Sequence, residues 1–108
     1  MERRLRPGAG WLERQTARAP EALRNRVLHH LGESPGGSAD DATPRALADA
    51  GRVALDHVLA RAGDRSVALD LLAADALVTL ALLAQAESSP ERLGEFAAGV
   101  LRDVSSAA

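Results

Sequence analysis

Between positions 67 and 86 the chain runs for twenty residues of which sixteen are apolar: seven Leu, seven Ala and two Val, interrupted by Asp70, Asp75, Thr79 and Gln85. A helix of that length extends about 30 Å, and one that is apolar nearly all the way round has to be surrounded by other helices. This segment therefore sets the architecture, and the rest of the chain is read as its covering. A membrane span competes for the same residues, since about twenty predominantly apolar residues cross a bilayer. Against it, Asp75 falls near the middle and Asp70 close behind, and an Asp at the bilayer centre costs roughly 2.5 to 3.5 kcal/mol. The expectation is a soluble helical bundle with no membrane partner.

Helix starts are punctuated three times in one way, by Pro20-Glu21-Ala22-Leu23, Pro44-Arg45-Ala46-Leu47 and Pro90-Glu91-Arg92-Leu93. Proline suits the first helical position because its missing N–H would have no partner there, and Thr43 and Ser89 stand before two of these prolines as N-caps. Gly32 and Gly63 sit where a C-terminal glycine cap belongs. The expected helices cover residues 11–18, 20–31, 44–62, 67–86 and 90–104. Residues 32–42, with Gly36-Gly37, Pro35 and two Ser, read as the one long surface loop.

Each outer helix declares the face it buries. Leu23, Val27, Leu28 and Leu31 share one side of the second helix, and Leu93, Phe96, Ala97, Val100, Leu101 and Val104 recur at threes and fours in the fifth. Both faces should lie on the central helix. In the third, Leu47, Ala54, Leu55, Val58 and Ala62 face inward, while Arg45, Asp49, Arg52 and Asp56 form a solvated stripe of ion pairs. The fold class expected is all-α, a four- to five-helix bundle around the helix from Val67 to Ala86. It occupies residues 11–104 as one domain, after a flexible basic arm at 1–10 and before a disordered tail at 105–108.

With no cysteine in 108 residues there is no disulfide, thiolate ligand or thiol nucleophile. All thirteen basic residues are Arg, as in a GC-rich bacterial genome. Through Arg26 there are seven Arg against three Glu, and beyond it six Arg against twelve acids. Such asymmetry marks either a basic arm for nucleic acid, through Arg3, Arg4, Arg6, Arg14 and Arg18, or a basic segment packed on an acidic bundle. Readers of single strands add stacking aromatics, whereas this chain offers Trp11 and Phe96. The arm has no apolar stretch behind its charges, so a secretory signal is not expected and the cytoplasm is.

Chemistry-bearing motifs are sparse. His29, His30, His57, Asp40, Asp41 and Asp56 are the candidates for a metal-dependent hydrolase. Adjacent residues on a helix point about 100° apart, so His29 and His30 are not expected to share an ion, nor Asp56 and His57. If Gly32 ends the second helix, Glu33 cannot join His29. No metal and no cofactor are expected on these grounds. Ser34, Ser38, Ser88, Ser89, Ser105 and Ser106 fall in loops, caps or the tail, and none stands in a Gly-x-Ser-x-Gly elbow. No catalytic residue can be named. The run Leu71-Leu72-Ala73-Ala74-Asp75-Ala76-Leu77-Val78-Thr79-Leu80-Ala81 is similar to the helix after the first aspartate-rich motif of polyprenyl diphosphate synthases. That family's Asp-Asp-x-x-Asp and Arg-Arg-Gly motifs are missing here, so the resemblance implies no site.

Association is the function this pattern favours. Enclosing a helix fully takes roughly five or six close neighbours at interaxial distances of about 8 to 10 Å, and this chain supplies at most four. Some of Leu69, Leu72, Leu80 and Leu83 should therefore stay uncovered and form an interface, either in a two-fold homodimer or with another helical protein. Asp75 and Thr79 share a stripe. They either reach solvent beside Ala68 and Ala86, or form a buried polar pair held by Arg52, Arg61 or His57. A nucleic-acid-associated regulator and a small carboxylate or metal hydrolase are the other readings.

Overall fold

A computed structural model describes residues 10–33 and 42–107, and these form an all-α fold of five helices. In chain order they are α1 (Trp11–Gln15), α2 (Glu21–Glu33), α3 (Pro44–Ala60), α4 (Ala68–Ser88) and α5 (Leu93–Ala107), with single 3₁₀ turns at Arg65–Val67 and Pro90–Arg92. The arm at 1–9 and the loop at 34–41, with Asp40 and Asp41, lie outside the described residues.

Local signals explain most of the boundaries. Thr43 caps α3 as expected, its Oγ1 accepting from the Ala46 N–H at 3.1 Å with Pro44 next in line. After α3 the chain turns at Gly63, whose φ of 94° is left-handed and suits a residue without Cβ. Asp64 then caps the 3₁₀ turn by accepting from Ser66 N–H at 2.9 Å. Mainly that backbone hydrogen bond holds its carboxyl below the usual range. Ser89 departs from expectation. It offers no side-chain cap, and its carbonyl instead accepts from Arg92 N–H at 3.0 Å and Gln85 Nε2 at 3.1 Å. The fifth helix therefore opens with a 3₁₀ turn.

Two expected ends are overrun. Gly32 does not terminate α2, which continues through it to Glu33. A glycine inside a helix costs about 1 kcal/mol relative to alanine, and the burial of His30 and Leu31 just before it offsets that. The tail does not begin at Ser105: α5 runs to Ala107, and Ser106 Oγ donates back to the Arg102 carbonyl at 2.9 Å. Shorter than expected are α1, which stops at Gln15 where Thr16 folds back on Leu12 O at 2.9 Å, and α3, which leaves Ala62 exposed beyond its end.

The core is built on the contact of α3 with α4, the most extensive in the fold. Ala50, Gly51 and Ala54 of α3 are buried, as are Ala73, Ala74, Leu77, Ala81 and Ala84 of α4. Small side chains let the two backbones approach closely. A Cβ on Gly51 would sit 3.1 Å from Val78 Cγ2 and 3.5 Å from the Ala74 carbonyl oxygen. Around this seam pack Leu47, Val27 and Leu31, with Trp11 and Leu12 of α1 and Val100 of α5. Trp11 Nε1 donates to Glu87 Oε1 at 2.8 Å, fastening α1 to the end of α4. Both α2 and α5 lie on α4, as their apolar faces imply.

The charged stripe of α3 is only partly a ladder. Arg45 pairs with Asp49 at 3.5 Å, turns to Asp103 of α5 at 3.6 Å, and lies 5.7 Å over the Phe96 ring. Arg52 and Asp56 are exposed, with no ion pair between them. The segment Arg65–Ser88 contains an eighteen-residue stretch of mean hydropathy 2.1 and is long and apolar enough to cross a membrane by length and composition. In this fold it is the helix the others cover.

Candidate functional site

Two places on α4 depart from the ordinary rule of apolar inside and polar outside. One is a buried polar cluster where α2, α3 and α4 meet. Asp70 lies in the first turn of α4 and is buried. Its Oδ1 is 2.8 Å from His30 Nε2, and Arg26 Nε stands 3.5 Å away. Burial alone would raise the Asp70 carboxyl. Burial is the largest single influence, but the hydrogen bond from His30 and the charges of Arg26, His30 and His57 together outweigh it and hold the group below its ordinary value. A depressed carboxyl supports the fold above its unfolded value of 3.8, and that support fades as pH falls through the lower folded value.

Since an ionised carboxylate only accepts, the shared proton belongs to His30 Nε2. That fixes the ring: with Nε2 committed to Asp70, Nδ1 is the remaining nitrogen. It is buried, and among the described residues it has no hydrogen-bond partner. His30 itself is 1% exposed. Glu33 stands one turn further along α2, and His57 comes from α3. One ligand atom from each of His30, Glu33 and His57 lies within 4.8 Å of the others. His57 Nε2 is 4.0 Å from Glu33 Oε1, and His29 Nε2 is 3.4 Å from Glu33 Oε2. The His30 ring centroid is 5.5 Å from that of His57 and 5.3 Å from that of His29.

This arrangement decides one open alternative, in favour of solvent for Asp75 and Thr79, and corrects two expectations. The buried carboxylate is Asp70, while Asp75 and Thr79 are exposed. Asp70 and Asp75 stand five residues apart, about 140° around a helix, so the neighbours that cover one leave the other outside. Arg52, Arg61 and His57 therefore do not bury Asp75. Within α2, Leu28 is exposed and His30 takes the inward position. Glu33 does reach His29 and the cluster, because α2 passes Gly32 without breaking. The signal that could have found the site is the three-residue spacing from His30 to Glu33, which puts both on adjacent turns of one helix.

The second place is an apolar groove of about 400 Å³ between α3, α4 and α5. Leu55, Leu71, Val78, Leu82, Leu101 and Val104 are among its walls, and Asp75 is the one charged residue among its described lining. Leu71 is 51% exposed, Leu72 55% and Leu101 65%. Of the four leucines expected at an interface, Leu72 is exposed and Leu69 and Leu83 are half-buried, whereas Leu80 is buried in the core. Leu80 is removed from the surface because the covering helices close over the C-terminal half of α4. The uncovered leucines sit nearer its start.

On the opposite side of α5 a polar depression of about 500 Å³ is lined by Arg45, Arg92 and Arg102 together with Glu95, Gln85 and Ser88. Arg92 is already engaged by Glu95 at 3.5 Å and Arg45 by Asp49 and Asp103. Arg14 and Arg18, two of the five arginines considered for nucleic acid, are exposed, and Arg3, Arg4 and Arg6 lie outside the described residues. Comparison of the chain with protein-family models, with curated proteins and with solved structures gave no match.

Proposed function

We propose that this chain is a small helical interaction module that associates with a second copy of itself through the α4–α5 face. The observation that carries the reading is the apolar groove, with Leu71 and Leu101 half or more exposed at its walls. Exposed apolar surface concentrated in one place marks an interaction site. A single charged side chain in the described lining means that recognition is by apolar contact rather than by charge. The same face holds a cleft and, beside it, projecting leucines. Two copies related by a two-fold axis can therefore seat each other's projections, the self-complementarity that closed dimers require. A cytoplasmic setting is part of this reading.

Light scattering on a sizing column tests it. The expected result is a mass of twice 11.3 kDa at high concentration, dissociating on dilution. A mass of 11.3 kDa across the whole range would overturn self-association and leave the groove to a different helical protein.

A further inference from the structure

We infer that His30, Glu33 and His57 form a binding site for one zinc-class divalent ion, with Asp70 as the residue that orients His30. Zinc sites of the open kind use three protein ligands, often two His and one Glu, and leave a fourth position for water. The donor set here is of that kind, two imidazoles and a carboxylate, which suits zinc and its neighbours over calcium or magnesium. Its ligands come from α2 and α3, so an ion would tie the end of one helix to the other.

The inner ligand is prepared. A ligating histidine ordinarily donates its second ring N–H to a carboxylate, which sets the tautomer and the ring orientation. His30 already does so, at 2.8 Å to Asp70, and its other nitrogen is buried without a partner among the described residues. A buried polar atom with nothing to bond is uncommon, and a bound ion would give this one its missing contact. The outer ligands are adjustable. Tetrahedral bonds of about 2.0 to 2.1 Å bring donor atoms to roughly 3.3 Å from one another, against the 4.8 Å limit within which one ring nitrogen of His30, one of His57 and one carboxylate oxygen of Glu33 lie here. The side chains of Glu33 and His57 are each 45% exposed and can close that gap by rotation. None of these residues lines the apolar groove, so the site stands independently of self-association.

The test is calorimetric titration of the full chain, stripped of metal by chelator and dialysed, with Zn²⁺ at pH 7.5. One saturable ion per chain is expected. Both His57→Ala and Glu33→Gln, at exposed positions that leave the fold intact by circular dichroism, should weaken binding at least tenfold. Asp70→Asn should weaken it 10- to 100-fold, and Asp56→Asn, on the same stretch of α3, should not change it. At a hundredfold excess of ion over Kd, Tm should rise by roughly 10 °C. With Co²⁺ in place of Zn²⁺, intense visible absorption of a four-coordinate centre is expected. The absence of saturable binding would overturn the inference, and so would binding that survives both His57→Ala and Glu33→Gln unchanged.

Discussion

The two sides of one helix solve opposite problems. At its start α4 carries Asp70 into the interior, where His30 and Arg26 meet it. On its outward side the same helix leaves Leu71 and Leu72 about half uncovered by the described residues. A charge is tolerated inside because it is hydrogen-bonded. Leucines remain outside because three neighbouring helices cannot wrap a fourth. What a side chain does in this fold depends on which neighbour arrives at its position, and residue type alone does not decide it.

The comparison is broken most forcefully at Asp70. Asp70→Ala leaves His30 Nε2–H buried without its acceptor and should cost about 3 kcal/mol in urea denaturation, as loss of one partner from a buried pair does. A cost below 1 kcal/mol would mean the pair is solvated in solution. Next comes the seam that sets how closely α3 and α4 approach. Gly51→Leu should destabilise by about 2 kcal/mol through overpacking. Gly51→Ala should be within about 1 kcal/mol of neutral in the same urea denaturation, since helix propensity gains roughly what the 3.1 Å contact with Val78 loses.

The exposed side is sharpened by Leu71→Glu combined with Leu101→Glu. Sedimentation equilibrium should show dimerisation weakened at least tenfold, about 1.4 kcal/mol, while helix content stays that of the parent. Smallest is Asp75→Ala, five residues from Asp70 and exposed. It should shift stability by less than about 0.5 kcal/mol in the same denaturation assay, and a larger loss would show that the groove side holds a polar contact.

Helix positions were legible because proline, capping residues and apolar spacing act locally. Thr43 and Pro44 start α3 by the chemistry of their own two residues. The site was not legible, for a reason equally physical. In a stretch where nearly every position is apolar, nothing local says whether Asp70 or Asp75 faces inward, and the choice is made by His30, forty residues away in the chain. Gly32 misleads in a similar way. As punctuation it reads as a stop, yet packing of His30 and Leu31 on one side and the reach of Glu33 on the other carry the helix through it.

The hydrogen bond from Trp11 to Glu87 gives this molecule a built-in optical gauge. The chain contains one tryptophan and no tyrosine, so essentially all of its near-ultraviolet emission arises from a ring that is 5% exposed and held to a residue 76 positions away. When the short first helix detaches, the emission moves to the red even if every other helix persists. Comparing that colour change with the loss of helical circular dichroism, denaturant step by denaturant step, separates undocking of the N-terminal segment from collapse of the bundle without any label.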